Sequence, residues 1–181
     1  MTLKITRTII LSLAISTSFL AQAQSTFEEG YKAASNGNYQ KAFNIWQPLA
    51  KQDNALAQSN LGILYENGWG VQQSAEKAFF WYQKSADLGQ IDAQHNLATL
   101  YQQGNGVAQD LNKAGFWFEK AASNGHGDAQ VILGVMYQEV EEYQQAAHWF
   151  SKAMKKNVEG AQKNLDYLCQ LKAEEITTYC K

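Results

Sequence analysis

Apolar positions along the chain come in blocks of helical spacing, and the blocks recur about 36 residues apart. Residues 57–90 read AQSNLGILYENGWGVQQSAEKAFFWYQKSADLGQ and residues 93–126 read AQHNLATLYQQGNGVAQDLNKAGFWFEKAASNGH. Ala57, Leu61, Tyr65, Gly68, Gly70, Val71, Ala78, Trp81, Lys84 and Ala86 return as Ala93, Leu97, Tyr101, Gly104, Gly106, Val107, Ala114, Trp117, Lys120 and Ala122, all at one offset of 36. Ala129 and Tyr137 lie another 36 residues on. The Gly-x-Gly-Val turn is then missing, so Ala146, Trp149 and Lys152 follow their predecessors by 32. Upstream, Ala42 and Ala50 match Ala78 and Ala86. Residues 159–170 restart the first half of a unit, with Ala161, Leu165 and Leu168.

Within a unit the pattern predicts two helices. The first, near 55–67, carries Leu61, Leu64 and Tyr65 on one face, and Gly68-Trp69-Gly70-Val71 ends it. The second, near 74–88, starts at Ser74 as a cap and sets Ala78, Trp81, Tyr82 and Ala86 on one side. One hairpin cannot cover its own apolar face, whereas stacked neighbours can. The fold class expected is all-α: an α-α superhelix of about four hairpins, with units near 27–54, 55–90, 91–126 and 127–158 and a C-terminal capping segment over 159–181.

LGILYENGWGV (61–71) and LATLYQQGNGV (97–107), each followed by Lys-Ala-x-x-Trp, resemble Sel1-like repeats. The flanking units, with their shorter turns, resemble ordinary tetratricopeptide repeats. Ala98 stands where the pattern expects glycine. The resemblance implies a concave surface built by the first helix of each hairpin, used to bind a protein or peptide. By register that surface takes Ser59, Asn60, Ile63 and Asn67, then His95, Asn96, Thr99 and Gln103, then Val131, Ile132, Val135 and Glu139, then Lys163, Asn164 and Tyr167. Asn60, Asn96 and Asn164 occupy equivalent positions, and an amide offers both a donor and an acceptor to a peptide backbone. The bland alternative is a solubilising helix face. Trp69, in the turn, is an exposed aromatic available to a partner, or else it folds back onto the next hairpin. Trp46, Trp81, Trp117 and Trp149 are read as core.

The N-terminus changes the expected location. Lys4 and Arg7 precede an uncharged, mostly apolar run, Thr8–Leu20, and then Ala21-Gln22-Ala23. That order predicts a signal peptide over 1–23 with cleavage after Ala23, and a periplasmic or secreted chain. The run is short for a span, which takes roughly 20 residues. Without Lys4 and Arg7 the 15 basic residues become 13 against 17 acidic ones, a net charge of −4. Arg7 is the only arginine. A chain without arginine and with net negative charge argues against nucleic acid as a partner. Cys169 and Cys180 are read as a disulfide, which requires the chain to fold back near 171–175; two free thiols are the alternative.

No constellation for catalysis, metal or cofactor stands out. His95, His126 and His148 fall in different local contexts without ligand spacing. Some secreted Sel1-like proteins are linked to penicillin binding, but Ser85, Ser123 and Ser151 lack a lysine three residues on. The expectation is a monomeric, non-catalytic scaffold, an adaptor or an inhibitor or immunity-type protein. The competing reading is a cell-wall or β-lactam-directed hydrolase on the same solenoid.

Overall fold

The computed structural model describes residue 24 and residues 26–180. The segment read as a signal peptide, 1–23, lies outside the described residues. Among the described residues all regular structure is helical: α1 (26–35), α2 (Tyr39–Lys51), α3 (Ala55–Asn67), α4 (Ala75–Asp87), α5 (Ile91–Gln103), α6 (Leu111–Ser123), α7 (Gly127–Glu139), α8 (Tyr143–Met154) and α9 (Ala161–Lys172). The chain divides into two compact units, with the boundary between Trp81 and Tyr82 inside α4.

In the first unit α2 packs on α3. Trp46 is buried, its indole N–H donating to the Phe27 carbonyl at 3.3 Å. Ala42, Ala50 and Ala57 are fully buried, and these small side chains let the helices approach closely. The turn after α3 holds Gly68 and Gly70 at φ 69°. A Cβ on Gly70 would come within 2.4 Å of the Gln40 backbone nitrogen, so only glycine lets this turn lie over the start of α2. Gln73 fastens the turn by donating to the Glu66 carbonyl at 2.7 Å.

In the second unit each helix from α5 to α9 packs on the next. The turn after α5 copies the one after α3: Gly104 and Gly106 take φ 69° and 71°, and Gln109 donates to the Gln102 carbonyl at 2.7 Å. After α7 the chain turns in three residues, with Glu141 rather than glycine at φ 62°. Trp117 and Trp149 are buried like Trp46, but Trp81 is only half-buried, so the core reading holds for three of the four. Ala98, at the position where glycine was expected, is fully buried inside α5.

Beyond α9 the chain folds back at 173–175 and returns Ile176 to the core formed by Phe150, Leu165 and Leu168. Cys169 and Cys180 are joined, with Cα atoms 5.5 Å apart.

Candidate binding face

The first helices of the hairpins in the second unit, α5, α7 and α9, start at adjacent points, and side chains tie those starts together. The Asn124 amide donates to the Gln94 side-chain oxygen at 3.1 Å, and Lys156 Nζ donates to the Gly125 carbonyl at 2.7 Å. His126 Nδ1 accepts from the Ala129 N–H at 3.2 Å and so caps α7. Its Nε2 lies 3.7 Å from Asp92 Oδ1, and its ring stacks on His95 with centroids 4.3 Å apart. Asn54 and Gln90 cap α3 and α5 by the same device, 72 and 36 residues earlier.

Sequence reasoning passed over one repeated residue. Gln58, Gln94 and Gln130 are buried, and each donates its amide to the carbonyl eight residues earlier, of Ala50, Ala86 and Ala122. Each therefore adds a second donor, from inside the core, to a carbonyl at the end of the preceding helix that also accepts a turn N–H, from Asp53, Gly89 and Gly125 in order. The Ala-Gln pair at 57, 93 and 129 was visible, but an amphipathic reading assigns a glutamine to the surface.

The residues assigned to the concave face differ in exposure. On α5, Asn96 is half-exposed and Gln103 exposed, while the Thr99 hydroxyl donates to its own helix at the His95 carbonyl. On α7, Ile132 is half-exposed and Val135 exposed; on α9, Lys163 and Tyr167 are exposed and Asn164 half-exposed. On α3, Asn60 and Ile63 are half-exposed, and Asn67 is exposed with its amide donating to the Ile63 carbonyl at 2.9 Å. Ser59 is a correction: it is 3 % exposed. Its short side chain is covered by its neighbours, where His95 and Val131 at the same repeat position keep an open edge. None of the amides of Asn60, Asn96 and Asn164 is engaged by another described residue. Trp69 is 42 % exposed and stacks on Tyr39 of the preceding hairpin, with centroids 4.9 Å apart, and not on the next hairpin as the alternative reading had it.

His95 is the one group on this face with a shifted ionisation. Burial holds its pKa below the ordinary imidazole value, and the neighbouring His126 pushes it the same way, against opposing pulls from Asp128 and Asp92. Its Nδ1 is buried without a hydrogen-bond partner. The sequence separation of 31 residues gave no sign that these two histidines meet. Among the described residues no three His, Cys, Asp or Glu side chains are grouped to hold a metal ion.

A Ser-x-x-Lys string does occur once, at Ser74–Lys77, which corrects the expectation drawn from the other serines. It is a helix cap. Ser74 Oγ accepts from the Lys77 backbone N–H and donates to Glu76, while Lys77 Nζ lies over the Tyr65 ring, 5.2 Å from its centroid. The lysine is thus turned to Tyr65 and not to the hydroxyl.

The helical hairpins, the buried glutamines and the copied turns define a class, the α-helical repeat scaffolds. A Sel1 repeat model matches residues 55–90, 91–126 and 127–158, and the chain belongs to the Sel1-repeat family. Among solved structures it is similar to a Sel1 repeat protein from Oxalobacter formigenes (30 % identity, TM-score 0.73, covering 76 % of this chain and 58 % of that one). It is also similar to a protective antigen of uropathogenic Escherichia coli strains that has an SLR fold (33 % identity, TM-score 0.69, covering 83 % of this chain and 37 % of that one). A third likeness is to cysteine rich protein B of Helicobacter pylori (26 % identity, TM-score 0.52, 62 % of this chain and 95 % of that one). The chain therefore spans a little over half and a little over a third of the first two relatives. No curated protein matches it. These likenesses make the architecture a superhelical repeat fold, and Sel1 repeats form a protein-interaction scaffold that is typically non-catalytic. No helix among the described residues is long and apolar enough to cross a membrane.

Proposed function

We propose that this chain is a non-catalytic scaffold of the bacterial periplasm or envelope that holds a protein or peptide on the exposed faces of its first helices. The supporting observation is the series Asn96, Ile132 and Asn164 on α5, α7 and α9, whose two amides are unspent and flank one apolar step. Such amides can pair with the backbone of an extended peptide while the isoleucine takes a side chain. In the first unit Asn60 offers the same group from α3. The disulfide agrees with an oxidising compartment, as the predicted signal peptide requires. The scaffold serves as an adaptor or as an inhibitor or immunity-type protein, and the protective-antigen relative is consistent with an exported role.

The test is a crosslinked pull-down from envelope extract with wild type and with Asn60→Ala/Asn96→Ala. The proposal expects the variant to lose a partner that wild type retains. Equal recovery of every partner would remove the asparagines from the site. Turnover of a chromogenic β-lactam by the purified chain, abolished by changing a residue of this face, would favour the hydrolase instead.

A further inference from the structure

The third Sel1 unit lacks three things that the chain builds around the equivalent tyrosine in the first unit. Tyr65, Tyr101 and Tyr137 are one repeat position. Around Tyr65, the Phe43 ring from α2 packs edge-on, with centroids 5.8 Å apart. The turn 68–71 closes the same space, with Val71 packed against the core and Trp69 stacked on Tyr39. Lys77 lies over the tyrosine ring.

At Tyr137 each of these is gone. Gly115 stands at the repeat position of Phe43 and Phe79. The turn after α7 is four residues shorter and has no Gly-x-Gly-Val. Gln145 stands at the position of Lys77 and Lys113. The result is an open notch of about 250 Å³ between α6 and α7, lined by Gly115, Glu119, Leu133, Met136, Tyr137 and Val140. Val140 at its mouth is 66 % exposed, and Leu111, where Tyr39 stands in the first unit, is 61 % exposed. A cavity of roughly 150 Å³ already holds a benzene ring. Glu119 lines the notch, and Glu139, Glu141 and Glu142 flank Val140 along the chain, all exposed. The nearest lysine in sequence to Glu119, Lys120, is drawn over the Phe116 and Trp117 rings.

We infer that this notch is a docking site for a partner segment carrying an aromatic side chain beside a lysine or arginine. The partner's ring would take the place that Phe43 fills against Tyr65, and its cation the place of Lys77. The acidic rim selects the same charge. The inference rests on the reading of the chain as a protein-binding scaffold, but it uses the α6–α7 notch and not the asparagine face.

The test uses capped pentapeptides of sequence Lys-Gly-Phe-Gly-Lys, Lys-Gly-Ala-Gly-Lys and Glu-Gly-Phe-Gly-Glu, titrated into the full chain while the Met136 methyl and the Gly115 amide are followed by NMR. Binding of the Lys–Phe peptide is expected to shift both signals and to be about ten- to hundred-fold tighter than that of the alanine peptide. The glutamate peptide should bind more weakly, and added salt should narrow that gap. Gly115→Phe, which refills the notch from within, should abolish the shifts while the circular dichroism stays helical. Val140→Ser, which removes apolar surface at an exposed position without changing the charge of the rim, should weaken binding of the Phe peptides at least five-fold and serves as the arbiter if Gly115→Phe fails to fold. Equal binding of the phenylalanine and alanine peptides overturns the inference, as does unchanged binding to both variants or the absence of a Met136 shift at millimolar peptide. Shifts confined to Asn96 and Asn164 would sink the notch and leave the asparagine face standing.

Discussion

At the scale of single residues, the same substitution should act with opposite sign at two glycines. Gly115 lies on the notch, and a Cβ there would meet only Met136 Cε, at an ordinary 3.4 Å. Gly115→Ala should therefore raise stability by about 0.5–1 kcal/mol in urea melts, the usual gain for a helical position. Gly134 faces Phe150, whose Cε1 would lie 2.5 Å from an added Cβ. Gly134→Ala should cost about 1–3 kcal/mol in the same measurement, because Phe150 is fully buried and has nowhere to move. His95 makes a pH prediction. Its folded pKa is held down, first by burial and then by His126, so the unfolded chain takes up its proton first as the pH falls. Stability should decline as pH drops through the ordinary imidazole value of about 6.5 and below. His95→Gln should flatten that decline in denaturant midpoints measured between pH 7.5 and 5. An unchanged slope would show that Asp92 and Asp128, which oppose the shift, offset it in full.

The helix pair is the element on which the sequence was most legible. Alanine, leucine and tyrosine at 57, 61 and 65 recur because they fill the contact between neighbouring helices, and the glycines at 68 and 70 recur because the backbone there needs left-handed angles. Both causes select one residue type strongly, so they survive as period. The buried glutamines recur as faithfully but were illegible, since polarity alone does not say that an amide points inward to a carbonyl. Gln130→Ala should cost about 0.5–1.5 kcal/mol in the same urea melts, because the Ala122 carbonyl loses its side-chain donor inside the core while it keeps the Gly125 N–H. The partner-facing residues were only partly legible. Ser59 was placed by register on an open face, and register does not tell how far a side chain reaches. The notch was beyond a reading that looks for what recurs, because it is made of absences at Gly115, Gln145 and the shortened turn.

At the scale of the whole chain, the fold predicts how damage spreads. From α5 to α9 each helix packs chiefly on the next, so stability there is nearly a sum of local terms. The disulfide closes a segment of 11 residues in sequence separation, and it holds Ile176 against Phe150, Leu165 and Leu168. Without that lid the last hairpin would show an apolar end to water, which is the need that terminal caps meet in repeat arrays. Closing so short a loop contributes on the order of 3 kcal/mol. Cys169→Ser/Cys180→Ser should lose up to that amount, and the loss should be uneven. Hydrogen exchange should quicken strongly in α9 and α8, less in α7, and little in α5. Uniform quickening from α5 to α9 would show a single cooperative core.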